Sequence, residues 1–227
     1  RQMCIRDSFW CVLVLWTVQV THMTIIGTSL PYYCKYIFHN DSWMYSVLYF
    51  AETIVIILGA MVCPMFIKKW GKRNITLAGA VVAIAAQVCL MLNPNNFYYM
   101  FAITLIRSAG VAQLNATVFG MLGDVVEYSY WKNGFRQESM IFGGASLGFK
   151  VGSGIASAVI TSLMNASGYI SSQGADVVQP GSAISMIADI YKWGPVIIWV
   201  VAAIMLVIYK LDREMPQIAE ELANREK

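Results

Sequence analysis

Six predominantly apolar runs follow one another along this chain, at roughly 9–34, 43–67, 75–93, 97–122, 139–165 and 184–209. A bilayer core of ~30 Å needs about 20 such residues at 1.5 Å of helical rise each, and each run is about that long or longer. Composition agrees, because 13% of the residues are charged where soluble domains carry about 25%. The expectation is an all-α membrane protein with six transmembrane helices in a lipid bilayer. A net charge of +3 is too small for a nucleic-acid footprint, so no nucleic acid is expected as a partner.

The runs divide the chain into three parts. Residues 1–8 open on Arg1 rather than Met and do not continue the apolar pattern, so they read as a non-native or misread end. Residues 9–209 form the bundle, and 210–227 a cytoplasmic amphipathic tail. The five cysteines, Cys4, Cys11, Cys34, Cys63 and Cys89, show no CxxC pairing. They read as buried reduced thiols rather than a disulfide frame or a metal site.

Lysine and arginine set the direction. KKWGKR (68–73) carries four, 123–138 adds Lys132 and Arg136, and the tail adds Lys210, Arg213, Arg225 and Lys227. On the other side only Lys35 and Lys192 lie near the interface. Basic residues favour the cytoplasmic side, which puts both termini in the cytoplasm. The tyrosines Tyr32 and Tyr33 read as interface anchors.

Polarity is uneven among the helices. The third has Gln87 as its one strongly polar residue and the core of the sixth has none, so both can face lipid all round. The first holds Gln19 and His22, the second Glu52, the fourth Arg107 and Asn115, and the fifth Lys150. This period of three is what a 3+3 repeat predicts, with two helices of each triplet lining a cavity.

Glu52, Arg107 and Lys150 all lie ~14–17 Å deep, near the midplane. Facing lipid, each would cost about 2.5–3.5 kcal/mol, so they should face protein or water. Glu52 can pair with Arg107 as a structural bridge, and it is the one intramembrane acid for both cations. His22, beside Thr and Gln, reads as a packed, hydrogen-bonded residue rather than a proton relay.

Lys150 sits in GGASLGFKVGSGIAS (143–157). At about 100° per residue, Gly143, Ser146, Ser153, Gly154 and Ser157 lie within about 60° of it. Ile141, Ala145, Gly148, Gly152, Ile155 and Val159 lie opposite. The Gly144–Gly148–Gly152 ladder fits close helix packing. A long lysine on a stripe of Gly and Ser fits a hydrated cavity instead.

GDVVEYSYWKNGFRQES (123–139), followed by an apolar helix with a central lysine, resembles the glycoside–pentoside–hexuronide:cation symporters. These form the melibiose permease group of the major facilitator superfamily. Asp124, Glu127, Tyr128, Lys132, Arg136, Glu138, Lys150 and Gly152 match the family pattern in order and spacing, with Glu127 a conservative departure. PMFIKKWGKRN (64–74) matches its basic loop, and the resemblance covers about 9–223, the C-terminal six of twelve helices.

The resemblance implies roles. Lys150 matches the lysine near the sugar and cation sites, and Ser146 a position that helps contact sugar. Asp124, Glu127 and Arg136, within the charged connection that also holds Lys132 and Glu138, match the cytoplasmic gate. Asn115 stands where melibiose permease has a sugar-stacking tryptophan, which argues against melibiose as substrate. Arg107 and Glu52 complete the expected substrate-binding and coupling set.

The implied activity is sugar:cation symport by alternating access in a bacterial inner membrane. Its partners are a sugar, a coupling cation (Na+ or H+) held mainly by the absent N-terminal half, and that half itself. No cofactor, no metal and no enzymatic activity are expected, because no metal cluster, nucleophile–base pair or phosphate loop is present. Two alternatives stay open: a carrier of lipid or another amphiphile on the same fold, and a half-size, non-transporting membrane subunit.

Overall fold

The computed structural model describes residues 5–40, 43–171 and 178–225. Its elements are α1 (Ile5–Tyr36), α2 (Met44–Trp70), α3 (Lys72–Leu90), α4 (Phe97–Asn133), α5 (Glu138–Ala166) and α6 (Gly181–Ile208). A short 3-10 turn (Leu211–Arg213) and α7 (Met215–Arg225) follow. Helices α1 to α6 are each long and apolar enough to cross a membrane, and no strand occurs among the described residues.

Local chemistry explains most boundaries. Gly71, at φ 80°, is the whole connection between α2 and α3, and its N–H donates to Ile67 O at 2.9 Å. Glycine reaches such a φ without steric cost, so KKWGKR is two helix ends around one residue rather than a loop. Asn96 caps α4 by accepting from the Tyr99 N–H at 3.1 Å.

Helix α4 ends not at 122 but at Gly134, which adopts the left-handed conformation. Nothing before Gly134 breaks the helix, so it runs about 16 Å past the expected edge. Asp124, Glu127 and Lys132 are therefore helical, and only Gly134 to Gln137 connect α4 to α5. The extension has packing of its own. Val125, Val126 and Tyr128 are buried in the core that also takes in Ile218 of α7. Trp131 Nε1 donates to Glu221 Oε2 at 2.6 Å. At the other end of the chain α1 begins at Ile5, ahead of the expected edge, and Ser8 is buried.

The six spanning helices pack as two exchanged triplets. Helix α1 packs on α5 and α6, α4 on α2 and α3, and α3 on α6, whereas α1 barely touches α2 and α4 barely touches α5. Each contact made by the first triplet thus has a counterpart in the second. This is the arrangement of an inverted 3+3 repeat.

That arrangement corrects two expectations. Helices α3 and α6 do not face lipid all round, because α3 buries Gly79, Ala80, Ala83, Ala86 and Gln87. A Cβ on Gly79 would lie 2.5 Å from Gly110 O, and one on Gly110 would lie 2.5 Å from Gly79 O. Lipid tails are as apolar as leucine, so close approach of small residues drives such contacts without polar groups. Tyr33 is not an interface anchor either. It is fully buried and its hydroxyl donates to Pro94 O at 2.9 Å. Among the cysteines Cys11, Cys34 and Cys63 are buried and free, but Cys89 is exposed. Cys4 lies outside the described residues.

Candidate functional site

Five helices converge on one buried charge. Arg107 of α4 is fully buried, and its Nη2 lies 3.1 Å from Glu52 Oε2 of α2. Its Nη1 donates to Gln87 Oε1 of α3 at 2.9 Å and approaches the Tyr191 hydroxyl of α6 at 3.4 Å. The Tyr191 ring also lies 5.7 Å from the guanidinium carbon, within the range of a cation–π contact. On α1, His22 lies with Nε2 3.9 Å from Glu52 Oε1, and its Nδ1 accepts from Trp199 Nε1 of α6 at 3.2 Å.

A proline explains why Gln87 is there. Pro195 inside α6 has no N–H, so the carbonyl four residues earlier, on Tyr191, loses its helical donor. Gln87 Nε2 donates to that oxygen at 2.8 Å and to Lys192 O at 3.2 Å. One amide therefore satisfies the gap in α6 with its N–H groups and Arg107 with its oxygen.

Lys150 lies apart from this network. It is exposed and makes no ion pair or side-chain hydrogen bond among the described residues. Gly143, Ser146, Gly154 and Ser157 beside it are exposed too, and a Cβ on Gly143 or Gly154 would meet nothing within 4 Å. The ladder on the other side behaves oppositely. Added Cβ atoms on Gly144, Gly148 and Gly152 would lie 2.9, 2.7 and 2.7 Å from Phe9, Leu13 and Thr17 of α1. One helix thus presents a closely packed glycine face and an open face that carries the lysine. Ile155 and Val159, expected opposite Lys150, are exposed and line an apolar cleft of about 440 Å3 between α1, α5 and α6. Asn115, half-buried on α4, accepts from Gln19 Nε2 of α1.

At the basic end Asp124 is buried, with Lys72 Nζ 2.6 Å from its Oδ1 and 3.3 Å from Gly120 O. Arg73 binds the end of α6 through Leu206 O and Val207 O, at 2.7 and 2.9 Å, and its backbone N–H donates to Asp212 at 3.2 Å. The other expected gate residues do not join this cluster. Glu127 and Glu138 are exposed and make no ion pair among the described residues, Lys132 lies over the Tyr128 ring, and Arg136 lies over Tyr130. Asp124 therefore closes onto α3 and not onto the α4–α5 connection.

The sequence alone assigns no site role to Gln87, in a helix expected to face lipid, or to Lys72, in the basic stretch KKWGKR, and Tyr191 and Trp199 do not stand out in it. Two of them carried a readable signal. A lone glutamine in an apolar helix needs a partner, and Tyr191 stands four residues before a helical proline. No group of three or more His, Cys, Asp or Glu that could hold a metal occurs among the described residues.

Comparison with known proteins agrees with this architecture. Residues 1–213 match the family described as MFS/sugar transport protein, so the match includes the first eight residues. The isoprimeverose transporter of Lactiplantibacillus pentosus is 30% identical over 86% of this chain and 40% of its own length. The glucuronide carrier protein homolog of Escherichia coli (strain K12) is 24% identical over 98% of this chain and 48% of its own length. An uncharacterized symporter, YjmB, of Bacillus subtilis (strain 168) is 24% identical over 92% and 45%. The chain spans less than half the length of each. With its matched profile, six spanning helices and exchanged triplets, it belongs to the MFS/sugar transport protein family.

Proposed function

We propose that these six helices are the C-terminal half of a sugar:cation symporter that works by alternating access in a bacterial inner membrane. The observation that carries the reading is Lys150, unpartnered on the open face of α5 while the opposite face is locked to α1. An unpaired midplane charge is too costly to leave in lipid, so it belongs to a water-filled path shared with an N-terminal half. Relatives named for isoprimeverose and glucuronide transport support a glycoside cargo.

In this reading Lys150 and Ser146 contact sugar near the coupling cation, Na+ or H+, which carboxylates of the other half hold. Asn115, bridged to Gln19, shapes the neighbouring wall. Arg107 and Glu52 act chiefly as the rigid back of the site, since each already holds the other. Both termini face the cytoplasm, where Asp124 and Lys72 form a latch between α3 and α4. The exposed Glu127 and Glu138, with Lys132 and Arg136 on their tyrosine rings, face outward at this end to engage the other half.

The test is uptake by the full-length protein in vesicles, measured for isoprimeverose and methyl β-D-glucuronide with and without a sodium or proton gradient. Lys150→Ala is expected to abolish gradient-driven accumulation at normal expression. Undiminished uphill uptake by that variant refutes the role of Lys150, and uptake of neither sugar by the unaltered protein refutes the cargo class.

A further inference from the structure

Between α1 and α2 lies a cavity of about 210 Å3 whose walls include His22, Met23, Ile26, Tyr49, Glu52 and Thr53. Its imidazole and its carboxylate are almost completely buried, His22 at 2% exposure and Glu52 at 6%. Each keeps one polar atom uncommitted. Glu52 gives Oε2 to Arg107 and leaves Oε1 towards His22, while His22 Nε2 has no hydrogen-bond partner among the described residues. The two atoms stand 3.9 Å apart, too far for a direct hydrogen bond.

Trp199 decides what these atoms can do. An indole N–H can only donate, so the 3.2 Å contact makes His22 Nδ1 an acceptor. The proton of the neutral ring then sits on Nε2, facing Glu52 and the cavity. An imidazolium would set two N–H groups against each other at Nδ1, so the ring is a fixed donor rather than a proton carrier. The cavity floor therefore offers one donor and one acceptor, held in place from behind by Trp199 and Arg107.

The group that fits both at once is a hydroxyl, which accepts from Nε2–H and donates to Oε1. An ammonium could only donate, a carbonyl could only accept, and a metal ion would face the Nε2 proton. An oxygen about 2.8 Å from each atom spans the 3.9 Å gap. The cavity has room for several water-sized groups of about 30 Å3 each. The exposed Tyr49 ring beside it supplies an apolar wall with a polar tip.

We propose that the α1–α2 cavity is a hydroxyl-recognition subsite for a polyhydroxylated ligand, a sugar or polyol, with His22 Nε2–H and Glu52 Oε1 binding one ligand hydroxyl. The subsite deepens the transport reading above and rests on it, but it lies on α1 and α2, away from Lys150 on α5.

The experiment measures binding of isoprimeverose, methyl β-D-glucuronide and their monodeoxy derivatives to the full-length protein by titration calorimetry. His22→Phe removes the donor, and Thr53→Trp fills the mouth from an exposed position without touching the buried network. Each variant is expected to weaken binding of the sugar that the unaltered protein takes by about tenfold or more. One monodeoxy derivative should bind the unaltered protein and His22→Phe equally, because the hydroxyl in question is already gone. If His22→Phe fails to fold, Thr53→Trp alone decides. Unchanged affinity in the folded variants overturns the subsite, leaves the transport reading standing and assigns the gap to water. So does a loss in His22→Phe that is the same for every derivative. If the unaltered protein binds neither sugar, both the glycoside cargo and the subsite fall.

Discussion

Removing one partner of the Glu52–Arg107 pair should harm the fold far more than removing both. Arg107 is fully buried and Glu52 nearly so, so Glu52→Leu strands a guanidinium inside the bundle. Breaking a buried pair in this way costs about 3–5 kcal/mol. Arg107→Met strands the carboxylate at similar cost and also leaves Gln87 Oε1 without its donor, worth a further ~1–3 kcal/mol. The double variant Glu52→Leu/Arg107→Met strands no charge and keeps only the Gln87 term, about 1–3 kcal/mol. The Gln87 term cancels in the cycle, so the two substitutions should couple by roughly 6–10 kcal/mol, twice the cost of one stranded charge, in the direction that rescues each other. The assay is detergent unfolding of the purified full-length protein, followed by tryptophan fluorescence, for the unaltered protein and the three variants. A double variant destabilised by the sum of the two singles would show that the groups are not paired as charges.

Other consequences are local. Gly148→Leu and Gly152→Val press on Leu13 and Thr17, and each should lower stability by about 1–3 kcal/mol in the same unfolding assay. Gly154→Ala points into open space and should change stability by less than about 0.5 kcal/mol. Gln87→Leu leaves Tyr191 O without its donor and takes the Gln87 acceptor from Arg107 Nη1, which should cost at least about 1–3 kcal/mol, readable as a thermal shift. Asp124→Lys should lower sugar uptake, and the added exchange Lys72→Asp should restore part of it by rebuilding the 2.6 Å pair in reverse. Equal uptake by the single and exchanged variants would show that the latch does not matter.

The spanning helices were legible because bilayer thickness turns hydrophobic length into structure almost directly. The meeting of Glu52 and Arg107 was legible as well, since two opposite charges at one depth have few other partners. What failed was the inference from polarity to position. An apolar helix was read as lipid-facing, yet α3 is held in the bundle by Gly79 and a row of alanines, residues that carry no polarity signal. The end of α4 failed for a related reason. Charges in DVVEYSYWK suggested a loop, but a helix leaving a membrane accepts charges, and only Gly134 stops it. The two faces of α5 followed from angular phase alone. The orientation of His22 did not, because it depends on Trp199, which lies 177 residues away.

A transport role for Lys150 requires that it face water on the substrate path. The most direct measurement is labelling of Lys150→Cys in the full-length protein, with every native cysteine, here Cys4, Cys11, Cys34, Cys63 and Cys89, first replaced by serine, by a water-soluble methanethiosulfonate reagent. Ile155→Cys, in the apolar cleft on the other side of α5, serves as the control. Position 150 should be labelled in sealed vesicles, be protected by the transported sugar, and react far faster than position 155. Equal resistance of both positions to the water-soluble reagent, with labelling only by a lipid-soluble maleimide, would contradict it.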